Sequence, residues 1–156
     1  MARTIPVIEG QFGTSQYYMT TMKASEVVQS LIIPKDLKGW EHPSIEERFQ
    51  RELNFNRVKN QIAPYLAENK NRFFSSLVVA IYGGDDPIFT PLADKTKVDP
   101  AYSEAANRLG FLTLQSNNLV PLDGQHRLAA LKFAITGKDE KGKDIPDHKF
   151  TANPDL

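Results

Sequence analysis

The sequence predicts an α/β (α+β) domain: a small mixed sheet with helices packed around it. Three observations carry this. The uninterrupted apolar run Leu77-Val78-Val79-Ala80-Ile81 has the length of a strand covered on both faces. Two more apolar stretches, residues 110–115 and 118–122, flank Ser116-Asn117-Asn118 and read as a hairpin. The second stretch runs through a glycine into a helix, Leu128-Ala129-Ala130-Leu131-Lys132-Phe133-Ala134-Ile135, with Gly137 at its C-terminal end.

Composition sets the bounds. The 156 residues suit one domain spanning 1–156, expected to be the N-terminal part of a longer protein. Apolar residues make up 40%, enough for a core, and no apolar run approaches the roughly 20 residues of a bilayer span. No secretion signal is visible, so a cytoplasmic protein is expected, without membrane partners. Lys plus Arg equals Asp plus Glu at 19 each, which argues against non-specific coating of nucleic acid and confines any DNA contact to a local patch. The chain has no cysteine, which removes disulfides, Cys-ligated zinc and a thiol nucleophile from this segment.

The remaining elements follow in order. Residues 1–13 read as a flexible lead. Tyr17-Tyr18-Met19-Thr20-Thr21-Met22 has strand composition. Ser25 is the expected N-cap of a short helix that turns Val27, Val28 and Leu31 inward, before Pro34 ends it. Ser44 and Glu47 form a capping box for a helix over residues 45–53. Asn54 caps a second helix with Val58, Ile62 and Leu66 on its buried face, and Pro64 predicts a kink or an early end near Ala63. Gly83-Gly84-Asp85-Asp86-Pro87 is a turn, residues 102–109 suggest one short helix, and the charged residues 138–149 read as a solvated loop.

The chemistry concentrates in Asp123-Gly124-Gln125-His126-Arg127. A strand, a glycine turn and a helix start make an anion site, because the first N–H groups of a helix lack internal partners and the helix dipole adds positive potential. Gly124 allows close approach to the backbone, and Arg127 can grip two phosphate oxygens, with His126 as a further donor. Asp123 can cap the helix, hold Arg127 or help to ligate magnesium. A plainer reading carries about equal weight: Asp123 caps, Gly124 turns, and His126 and Arg127 are ordinary surface residues.

The stretch Leu119-Val120-Pro121-Leu122-Asp123-Gly124-Gln125-His126-Arg127-Leu128-Ala129-Ala130-Leu131 also resembles the signature of the DGQHR family, the DndB-like proteins of DNA sulfur modification (phosphorothioation). Residues 51–66 look like that family's first helical box, and the order of elements is similar to the ParB/sulfiredoxin superfold. The resemblance implies that Gly124 and Arg127 hold nucleotide phosphates, with Gln125 and His126 beside them and Asn54 and Arg57 brought close by the box. It implies ATP or another nucleotide with magnesium as cofactor, Asp123, His126 and Arg127 as the candidate catalytic set, and weak ATP hydrolysis as an open question. Gln125 stands where a sulfiredoxin carries its catalytic cysteine, so thiol chemistry is not expected here.

The reading that results is an accessory or regulator of DNA modification, with promoter or substrate DNA and other modification proteins as partners and a homo-oligomer open. The alternative is a non-catalytic, DNA-binding transcriptional regulator of the modification operon. A ParB-like nuclease ranks low, since two-metal cutting needs clustered carboxylates and only Asp123 is well placed. No metal ligands are assigned: Asp85 and Asp86 fit a plain turn, and His42 and His148 lack partners at ligand spacing. No residue is assigned to DNA. Arg48, Arg51, Arg57 and Lys59 alternate with Glu46, Glu47 and Glu52, as on a solvated helix face. Trp40, Tyr17, Tyr18, Phe73 and Phe74 can stack bases, but core packing is the better reading.

Overall fold

The computed structural model of the chain describes residues 2–33 and 53–156. The strands among them are β1 (Ala2–Phe12), β2 (Ser15–Met19), β3 (Val78–Tyr82), β4 (Ile88–Pro91), β5 (Leu109–Gln115) and β6 (Asn118–Asp123). The α-helices are α1 (Ala24–Ser30), α2 (Phe55–Arg57), α3 (Ala63–Glu68), α4 (Ser103–Arg108) and α5 (Gln125–Thr136). This is the mixed α/β content expected, arranged in two compact units: Met1–Met22 with Tyr82–Asn118, and Lys23–Ile81 with Leu119–Leu156.

The first unit is an antiparallel sheet in the order β2-β1-β5-β4. β1 is its spine. Ile5 pairs with Leu112, and Ile5, Val7, Leu112 and Leu114 fill the buried face. Helix α4 packs against β1, β4 and β5 and buries Ala106. The opening residues are therefore a strand of 11 residues and not a loose lead. Alternation in Thr4-Ile5-Pro6-Val7-Ile8 carries the strand signal, and pairing with two neighbours fixes it.

The second unit is built around α5. Its Leu128, Ala129, Ala130, Leu131, Phe133 and Ala134 are all buried, so the helix is apolar around most of its circumference and lies inside the unit. The alanines let other segments approach closely. Val58, Ala63, Leu66 and Ala67 meet them from one side, while Val27 and Val28 pack on the same cluster. Gly137, at a φ of 65°, ends the helix and donates its N–H to Phe133 O at 2.8 Å, as its position in the sequence predicts.

Asn54 caps the second helix as expected, its Oδ1 accepting the Arg57 N–H at 3.0 Å. The kink predicted at Pro64 takes a specific form. Residues Val58–Ile62 adopt a π-helical turn, with Ala63 N–H bonded to Val58 O, and Pro64 then sits in the first turn of α3. There its missing N–H costs no ladder bond.

Several expectations need correction. β5 and β6 do not form a hairpin: β5 lies between β1 and β4, while β6 pairs with β3. Ser116, with a φ of 59°, turns the chain between the two sheets, a backbone state that residue type alone does not reveal. The mixed sheet is thus two small sheets. β3 is partly exposed and not covered on both faces, and among the described residues it pairs with β6 alone. Helix α1 is capped at Lys23 and not at Ser25, with Glu26 accepting the Lys23 N–H at 2.9 Å. Tyr17, Phe73 and Phe74 are exposed and not core residues; Tyr18 is half-buried against Phe89, with ring centroids 5.9 Å apart. The capping box at Ser44, the helix over 45–53 apart from Leu53, and the residues Trp40, His42, Arg48 and Arg51 lie outside the described residues. No helix among the described residues is long and apolar enough to cross a membrane.

The charged segment after Gly137 is more than a solvated loop. Asp139 Oδ1 accepts the N–H groups of Lys141 and Lys143, both at 2.9 Å, and its Oδ2 pairs with Lys59 at 3.4 Å. This tight turn aims Ile145 and Phe150 into the core around α5. Phe150, 2% exposed, belongs to that core, so Phe150→Ala is expected to cost about 3–5 kcal/mol in chemical denaturation. A solvated residue would cost less than ~0.5 kcal/mol. The two backbone bonds, led by that from Lys143, also hold the Asp139 carboxyl below its ordinary value of 3.8. The stability this provides is therefore present above that value and is lost as pH falls below it. Asp139→Asn is expected to flatten the acid limb of stability against pH, and an unchanged acid limb would remove this role.

Candidate functional site

β6 delivers the chain to Asp123, and Gly124 then reverses it into α5 with a φ of 89°. That left-handed state is strained for any residue with a Cβ. A Cβ here would also stand 2.4 Å from Leu77 Cδ2 and 3.0 Å from Arg127 Nη2. Glycine is thus required twice, by backbone and by space. The helical ladder opens with Leu128 N–H bonded to Gly124 O at 2.9 Å, so the amides of residues 125–127 lie ahead of it at the mouth of the turn.

Arg127 anchors the site. Its Nη2 donates to Asp123 Oδ2 at 2.8 Å; its Nη1 donates to Ser76 O at 2.9 Å and to Ser75 Oγ. The guanidinium thereby joins the turn to the segment that leads into β3. Its side chain is 26% exposed, against 72% for Asp123, so the pair has a sheltered cation and a carboxylate open to water. Of the three roles open to Asp123, the structure has it holding Arg127, while Gly124 occupies the N-cap position. The plainer reading of Arg127 as an ordinary surface residue does not fit these bonds.

His126 reaches to the helical box. Its Nε2 accepts the backbone N–H of Asn54 at 3.0 Å, which places the ring proton on Nδ1 in the neutral imidazole. Asn54 is therefore at the turn, as the resemblance of its segment to the family's helical box implies. Arg57 stands at the far end of α2, exposed, with its N–H bonded to Asn54 Oδ1. Gln125 is the exception in the turn: at 8% exposed it is the one buried polar side chain among the described residues, facing the interior.

Ser75 and Ser76 escaped the sequence reading. They precede the apolar run and carry no motif, and their link to Arg127 spans about fifty residues of sequence. The adjacent Phe73 and Phe74 are exposed, Phe73 to 77%. Among the described residues no cluster of three or more His, Asp or Glu side chains is arranged to hold a metal ion.

A strand, a left-handed glycine and a buried helix with a carboxylate–guanidinium pair in its first turn define a small α/β domain with a glycine-turn site. Residues 5–152 match the family model described as DndB, DNA-sulfur modification-associated, and the chain belongs to that family. Its role accordingly lies in DNA sulfur modification. No curated protein and no solved structure matches the chain.

The two constraints on Gly124 make a simple test. Gly124→Ala is expected to destabilise the protein by about 1–3 kcal/mol, read as a lower midpoint in thermal or denaturant unfolding. An unchanged midpoint would mean that the turn relaxes without strain.

Proposed function

We propose that the DGQHR turn binds the phosphates of a nucleotide, ATP or another nucleotide with magnesium, and that this binding serves a cytoplasmic accessory or regulator of DNA sulfur modification. The observation that carries the reading is the pairing of a helix start, opened by the left-handed Gly124, with a guanidinium held at its edge. The amides of Gln125, His126 and Arg127 face the same mouth, and Arg127 supplies the charge. A phosphate would compete with Asp123 for Nη2. The displaced carboxylate, open to solvent, suits a magnesium-bound water. Magnesium would neutralise phosphate charge when bound.

Gln125, which is buried, and His126, whose Nε2 is engaged by Asn54, take part through their backbone. Asn54 sets the place of His126, and Arg57, exposed nearby in sequence, is the candidate for the nucleotide's outer part. Exposed Phe73 and Phe74, just before Ser75, offer aromatic surface for a base. Whether hydrolysis follows depends on Asp123, His126 and Arg127 acting together on an attacking water.

The alternative is a DNA-binding regulator without catalysis, in which the turn is structural. Family membership favours DNA and the other modification proteins as partners in both readings.

Titration calorimetry with ATP and with CTP, with and without magnesium, separates them. The intact chain is expected to bind one of these, and Arg127→Ala to weaken binding about 10- to 100-fold, the effect of a lost charge-assisted bond. Binding unaffected by the substitution removes Arg127 from the site. Absence of binding, together with operator affinity that falls steeply with salt, favours the regulator.

A further inference from the structure

The two faces of the four-stranded sheet differ sharply. Register places Ile8 between Met19 of β2 and Leu109 of β5, and puts Phe111 and Ile88 on the same side through Thr113 and Thr90. Tyr17, opposite Gly10, and Phe12 at the end of β1 complete that side. All seven large apolar residues are exposed, Phe12 to 83%. The buried Ile5, Val7, Leu112 and Leu114 point the other way.

Two further facts identify what fits this face. First, size: with roughly 200 Å² for a whole large apolar residue, the scale of aromatic burial, the seven leave on the order of 700 Å² open to water. That exceeds the ~300–600 Å² of the largest apolar patch on an ordinary monomer. It also approaches the ~800 Å² that each partner gives to a stable interface. Second, charge: no position of β1, β2, β4 or β5 on this side is Asp, Glu, Lys or Arg, although such residues make up 24% of the chain. Such a face has nothing to offer DNA phosphates. It can meet its own copy about a two-fold axis with no like charges opposed.

We propose that this sheet face is a homodimer interface, with the sheets of two copies packed face to face. Side chains from both faces interdigitate across the ~10 Å spacing of packed sheets, with Ile8 and Phe111 near the centre. The interface is made by residues other than those of the glycine turn and holds whether or not that turn binds a nucleotide.

Sedimentation velocity on the intact chain tests it. A dimer that dissociates on dilution and persists at raised ionic strength is expected, since no charge pair holds it. Ile8→Lys and Phe111→Lys are each expected to weaken it roughly tenfold or more while far-UV circular dichroism stays native. If either central variant fails to fold, Phe12→Lys at the strand end takes its place, because that side chain contributes little to the monomer. A chain that stays monomeric at its highest soluble concentration overturns the proposal. So does a dimer that survives these substitutions.

Discussion

The second unit depends on one constraint: the backbone at Gly124 must turn left-handed within contact of Leu77 and Arg127. That turn sets the angle at which β6 hands the chain to α5. Because α5 is buried around most of its surface, its start point decides how the unit's other segments pack on it. A different residue at Gly124 would act on fold and site together.

Arg127 turns this local geometry into a tertiary link. Its guanidinium bonds the approach to β3 to the DGQHR turn, beside the pairing of β3 with β6. His126 does the same for the helical box through the Asn54 N–H. The motif's polar residues are thus structural first, and any ligand must share them. Asp123 is the partner most easily released, being the most exposed of the group and matched to Arg127 across one helical turn.

The order in the chain leaves the two sheets with different tasks. The sheet of β1, β2, β4 and β5 keeps one face for its own core and leaves an uncharged apolar face outside. The unit around α5 carries the polar turn.

Sequence by itself determined the elements whose signals are local. The helix after the DGQHR turn, its Gly137 stop, the Asn54 cap, the Pro64 disturbance and the glycine turn are each fixed by neighbours within a few residues, through capping, missing donors or positive φ. Tertiary structure alone decided what depends on distant partners. Ser75 and Ser76 became site residues because Arg127 reaches them across space. Strands β5 and β6 separated into different sheets although their sequences suit a hairpin, since strand pairing is chosen by long-range contacts that an apolar pattern does not encode. The apolar run at β3 is partly exposed, and Ile145 in the otherwise exposed charged segment and Phe150 just after it are buried, for the same reason: burial depends on what else arrives at the surface, and no local stretch of sequence specifies that.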